Sequence, residues 1–122
     1  MKLQYKIGVE QLIRMIQVMA LDKSLEEILE RIIGTVRPDK IILFGSHARG
    51  TENADSDIHL VVVVSGNIHR RKTAQKIYMS LIGVGRSVDI VVLKPEDLER
   101  YKNSVGVIIP EILREGKELY VA

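Results

Sequence analysis

The sequence contains no cysteine and no tryptophan, only one phenylalanine, and three prolines. Without cysteine there can be no disulfide and no thiolate metal site, which fits an intracellular, cytoplasmic setting. With four tyrosines as the main aromatics, a platform for stacking unpaired bases is not expected. Neither sign of charge dominates. Eighteen Lys and Arg stand against 16 Asp and Glu, a net charge of +2, too small a bias to argue for direct nucleic-acid or membrane binding. Long apolar runs are missing too. The longest, Leu60 to Val64, falls far short of the roughly 20 residues that span a bilayer. The mixed, amphipathic start "MKLQYKIGVEQLIRMIQVMA" does not read as a signal peptide. There is no internal repeat, low-complexity segment or linker.

What is present suits one compact domain over residues 1–122, with 46% apolar and 28% charged residues. Val9, Leu12, Ile13, Ile16 and Ala20 recur at helical spacing, so residues 9–20 read as an amphipathic helix. In "DKSLEEILERIIGTV", Ser24 is the expected N-cap and Glu27 completes a capping box. Leu25, Ile28, Leu29, Ile32 and Ile33 form the buried stripe, and Gly34 is the expected stop. Three runs rich in β-branched residues read as strands: 40–44, 58–64 and 87–93. A helix is expected between the last two, ending near Gly83 and Gly85, and another at "KPEDLERY", with Pro95 in its first turn. "NSVGVIIPEILREG" reads as a helix disturbed by Gly106 and Pro110, and "KELYV" as a last strand. The order implies a small α/β sandwich.

The stretch "FGSHARGTENADSDIHL", residues 44–60, carries the chemistry. Gly45 and Ser46 follow a strand, where free backbone N–H groups and a missing Cβ let a phosphate come close. Alone, a Gly-Ser pair is more often a plain strand-to-helix turn. Asp57 and His59, at i and i+2 on a strand, leave the same face. Asp89 interrupts the apolar strand "SVDIVVL", so it needs a cation, a hydrogen-bond donor or an edge position. If the two strands pair, Asp57, His59 and Asp89 converge beside the Gly45-Ser46 turn. A phosphate cradle next to metal ligands suits a metal–nucleotide complex. Arg49 could touch phosphate or pair with Glu52 or Asp55. The basic cluster "HRRK" at 69–72 reads as a solvated helix start, with contact to triphosphate, RNA or an acidic partner as the other reading.

Over roughly residues 25–121 the sequence resembles the minimal nucleotidyltransferases of the DNA polymerase β superfamily. The resemblance rests on Gly45-Ser46, ten intervening residues and then Asp57-Ile58-His59, with Asp89 as a third acidic residue on a later strand. "PEILREGKELY" is similar to the family's closing helix and strand. The resemblance implies an α/β (α+β) fold: a small mixed sheet with helices mainly on one face, as in the polymerase β palm. Residues 1–22 would be an additional N-terminal helical segment. It also implies a metal-dependent enzyme that moves AMP from ATP to a hydroxyl acceptor, using magnesium, with manganese as the other candidate ion. By matching position, Gly45, Ser46 and Arg49 would bind the triphosphate. Asp57 and the residue at position 59 would hold metal, with Asp89 a further ligand that helps activate the acceptor. Relatives of this kind neutralise HEPN-domain toxins, some by attaching AMP to a toxin tyrosine, so an antitoxin role is implied.

One position departs from the family pattern. Where the family has a second, metal-bridging aspartate, this chain has His59. With a neutral imidazole the trio carries one negative charge fewer, and it offers one donor atom where a carboxylate can bridge two ions. Three readings stay open: a ligand in a one-metal or manganese-using enzyme, a degenerate site that acts by complex formation, or a histidine that only hydrogen-bonds its aspartate neighbours. Independently of family, both faces of the 58–64 strand are apolar beyond its first turn and should both be covered. A homodimer or heteromer is expected on that ground.

Overall fold

The computed structural model describes residues 8, 9, 12, 23–45 and 57–122. Its elements are α1 (Lys23–Val36), β1 (Lys40–Phe44), β2 (Ile58–Val63), α2 (Arg70–Ser80), β3 (Val88–Leu93), α3 (Pro95–Tyr101), α4 (Ile109–Glu115) and β4 (Lys117–Val121). Of the expected first helix only Val9 and Leu12 fall among the described residues, both helical. The rest of that helix lies outside them, as do Ser46, Arg49 and Asp55. No helix among the described residues is long and apolar enough to cross a membrane.

The strands form one sheet in the order β3-β2-β1-β4. β1 runs antiparallel to both β2 and β4, whereas β2 and β3 are parallel. A parallel pair needs a crossover, and α2 supplies it. β2 is central, and its burial reflects this: every residue of the strand is buried except His59, which is half-buried. β3, carrying Asp89, is an edge strand. That answers the question its carboxylate posed, because the side chain is 56% exposed and is not a buried charge.

The larger core lies on one face. Leu25, Ile28, Leu29, Ile32 and Ile33 of α1, with Ile77 of α2, pack against Ile41, Leu43, Ile58, Leu60, Val62, Ile90, Val92 and Leu119. The stripe on α1 is the one its spacing predicts, and each such side chain contributes about 1.5–3 kcal/mol by burial. Arg31 ties this layer together. Its guanidinium donates to the carbonyl oxygens of Ser80 (3.0 Å) and Ile82 (2.9 Å), near the carbonyl-rich end of α2.

The ends of α1 differ from expectation. The helix already includes Lys23, so Ser24 sits in its first turn and is not the N-cap. Glu27 pairs with Arg31 at 2.7 Å. Nor does Gly34 end the helix. The helix runs on to Val36, and Arg37 takes the left-handed turn at φ 49° just before Pro38. Proline lacks the N–H that would continue the ladder, so the stop is set there.

The second face is covered by the chain itself. Ile42, Val61, Val63 and Ile112 form a smaller cluster, joined by Phe44, Val91, Leu93 and Leu98. α3 and α4 bring Leu98 and Ile112, so covering this face calls for no second copy or partner, and that ground for an oligomer falls away. The two longer helices thus take one face and two short ones the other. The disturbed segment before α4 is not helical up to Ile109: Gly106 adopts φ 85° in a turn, and Val105 is fully exposed.

"HRRK" is the start of α2. His69 is its N-cap, with its ring Nδ1 accepting from the Lys72 N–H at 3.2 Å. Arg70 makes a two-pronged pair with Asp97 at 2.9 and 2.7 Å. Asp97 also accepts from the Lys94 N–H at 2.8 Å, capping α3. The Arg70 hydrogen bond, more than anything else, holds the Asp97 carboxyl below the usual range. Burial opposes this, and the Lys94 amide assists it.

Candidate functional site

The register of the sheet builds the site. Phe44 of β1 lies opposite His59 of β2, and His59 lies opposite Asp89 of β3. One row thus crosses three strands at the end of the sheet that Gly45 leaves. Asp57, exposed just before β2 begins, is two residues from His59 and shares its face.

One ligand atom from each of Asp57, His59 and Asp89 lies within 4.8 Å of the others. His59 Nδ1 is 3.4 Å from Asp89 Oδ2. The ring is held from its other side. Its centroid is 5.4 Å from that of Phe44, tilted by 49°, and its Cδ2 edge faces Gly45. A Cβ built on Gly45 would stand 3.0 Å from Cδ2, and Gly45 itself has φ 78°. Glycine is therefore favoured twice at this position, by the left-handed turn and by the close imidazole.

The trio, predicted from sequence, is thus brought to one place beside the Gly45 turn. Sequence reasoning missed the other side of His59. A cleft of about 160 Å³ is lined by Phe44, Gly45, His59, Ile108, Glu111 and Glu115. It suits a side chain or ring rather than a whole nucleotide, since ligand pockets run to roughly 300–1,000 Å³. Glu111 and Glu115 stand one helical turn apart on α4, a spacing visible in the sequence. What the sequence did not reveal is that α4 folds over this end of β1.

Whether the residues fit the two magnesium ions implied by the family resemblance can be judged from the donors. Two carboxylates and one imidazole carry −2 at most, and the imidazole presents one nitrogen, whereas a bridging ligand must present two atoms. With one bridging carboxylate fewer than the family pattern, the set suits one divalent cation better than a bridged pair.

Among solved structures, a candidate nucleotidyltransferase from Sulfolobus solfataricus is 23% identical, with a TM-score of 0.53 over 80% of this chain and 85% of that one. A mutant form of the toxin-antitoxin MntA-HpeT is 24% identical, with a TM-score of 0.54 over 80% of this chain and 73% of that one. Both likenesses concern the fold. No curated protein sequence matches the chain. The family model described as "Polymerase beta, Nucleotidyltransferase" matches residues 23–122. Because that match runs from the start of α1 past the end of β4, the chain belongs to the polymerase β nucleotidyltransferase family.

Proposed function

We propose that this chain, acting as one nucleotidyltransferase domain with residues 1–22 as an added helical segment, moves AMP from ATP to a hydroxyl of a partner protein. The observation that carries the reading is the convergence of Asp57, His59 and Asp89 within 4.8 Å beside the glycine turn at φ 78°. The Gly45 turn, with Ser46 and Arg49, holds the triphosphate. Asp57, His59 and Asp89 hold a divalent ion, which when bound offsets the charge of the phosphates.

The exposed Asp89 faces the incoming acceptor and accepts its proton. The acceptor oxygen then forms a bond to the α-phosphorus, the bond from that phosphorus to the bridging oxygen of the β-phosphate breaks, and pyrophosphate leaves. Positioning of the acceptor against the α-phosphate supplies much of the rate in such a reaction. The partner we favour is a HEPN-type toxin with a tyrosine as acceptor, and the chain is then its antitoxin. The family resemblance supports this, as does the fold likeness to a protein that is itself part of a toxin-antitoxin.

His59 favours a second reading, in which the site binds nucleotide or partner but transfers slowly. Incubation of chain and partner with ATP, followed by intact-mass spectrometry, separates the two. The proposal expects a mass gain of one AMP on the partner, lost in Asp89→Asn. A stable complex with no mass gain under any divalent ion, in parent or His59→Asp, would leave only the binding reading.

A further inference from the structure

We propose that Asp57, His59 and Asp89 form a single-ion site selective for a borderline divalent cation, zinc first, over magnesium. The inference rests on the reading of this trio as the ion site and deepens it. Three observations carry it: the donor set, the separation of the donors and the way the imidazole is held.

The donors are two carboxylates and one imidazole. Imidazole nitrogen suits zinc, nickel and copper, whereas magnesium takes hard oxygen ligands and keeps several waters in near-octahedral order. Zinc at catalytic sites commonly takes three protein ligands, tetrahedrally, and leaves a fourth position for water or substrate. Among the described residues three ligands converge, and Asp57 and Asp89 are exposed.

The spacing agrees. Ligands about 2.1 Å from a tetrahedral ion stand about 3.4 Å from one another, and His59 Nδ1 lies 3.4 Å from Asp89 Oδ2. The wider limit across the trio is 4.8 Å. Closing that gap takes rotation of the Asp57 and Asp89 carboxylates, both on exposed residues. His59 is the fixed member. Phe44 flanks its ring and Gly45 abuts its Cδ2 edge, which leaves Nδ1 turned toward Asp89. A ligand locked by its neighbours loses little freedom on binding, which favours affinity.

The selectivity follows from this one residue. An aspartate at position 59 would restore a third carboxylate and a ligand able to bridge two ions, so the preference should swing back toward magnesium.

The test measures binding without reaction. Zn(II) and Mg(II) are titrated calorimetrically into the full chain, His59→Asp, His59→Gln and Asp89→Asn, with circular dichroism to check that each is folded. Co(II) then reports the ligands through its visible spectrum. The expected result is one zinc per chain, held more than about tenfold tighter than magnesium, with the zinc affinity falling by more than about tenfold in His59→Gln. The Co(II) spectrum should change in His59→Gln, and His59→Asp should gain magnesium affinity.

Zinc affinity unchanged in both His59→Gln and Asp89→Asn would overturn the inference, as would two magnesium ions bound by the parent. The functional reading fails separately. Magnesium-driven AMP transfer by the parent, with two ions bound, would sink the single-ion site and leave the transferase. Zinc binding as expected, with no transfer by parent or His59→Asp under any ion, would uphold the site and sink the transferase.

Discussion

Replacing Gly45 with alanine places a methyl group at the point where the turn after β1 meets the candidate ion site. The backbone there has φ 78°, and a left-handed conformation costs an L-residue about 1–2 kcal/mol. Alanine also narrows the unfolded ensemble, which returns about 0.4–1 kcal/mol, so the backbone alone destabilises by about 0.5–1 kcal/mol. The new Cβ would lie 3.0 Å from His59 Cδ2, inside the comfortable carbon–carbon distance of roughly 3.5–4.0 Å. The ring must shift by a few tenths of an ångström or leave its rotamer, adding about 0.5–1.5 kcal/mol. The total is about 1–2.5 kcal/mol, or a melting temperature lower by about 4–10 °C for a chain of this size.

Gly83→Ala is the control. Its φ is 90°, and nothing lies within 4 Å of a Cβ built there, so it carries the backbone cost alone. Thermal melting and zinc titration of both variants separate the two contributions. Gly45→Ala should melt below Gly83→Ala and also lose zinc affinity, because His59 no longer aligns with Asp89. Equal melting of the two variants, with zinc affinity intact in Gly45→Ala, would refute the account of how the ring is held.

Two further outcomes concern the frame around the site. Ile112, 1% exposed, is the contribution of α4 to the smaller core, so Ile112→Ala should lower the unfolding free energy by about 2–4 kcal/mol in a denaturant titration. An effect under ~1 kcal/mol would mean that α4 does not seal that face. The Asp97 carboxyl is held below the usual range, first by the Arg70 guanidinium. The stability from that pairing is therefore complete above the ordinary carboxylate value near ~4 and is lost as pH falls through the lower folded value. Asp97→Asn should flatten the fall in stability below about pH 4 and, by loss of the Arg70 ion pair, lower the melting temperature at neutral pH. A parent and variant with parallel pH curves would exclude this pair as the source.

Much of the architecture was legible because it is written in local pattern. The stripe on α1 needs only 3.6-residue spacing, and the apolar strands carry their own β-branched signature. The convergence of the three side chains was legible for the same reason. Alternation puts Asp57 and His59 on one face, and an acidic residue inside an apolar strand stands out against its neighbours. What was not legible depended on contacts between distant segments. Gly34 looked like a helix stop by residue type, yet Pro38 sets the end, and the left-handed turn falls to Arg37. The apolar second face of β2 seemed to call for another molecule, because nothing local to β2 shows that Leu98 and Ile112 return to cover it. Ile108, Glu111 and Glu115 became neighbours of His59 only through the same return.

The most direct test of the central claim is an ATP titration of the full chain, with and without a divalent ion, repeated on Asp57→Asn. If the trio holds an ion that engages the triphosphate, ATP binds tightly only when the ion is present, and Asp57→Asn removes that dependence. ATP affinity that is the same with and without ion, or a dependence on ion that survives in Asp57→Asn, would contradict the account.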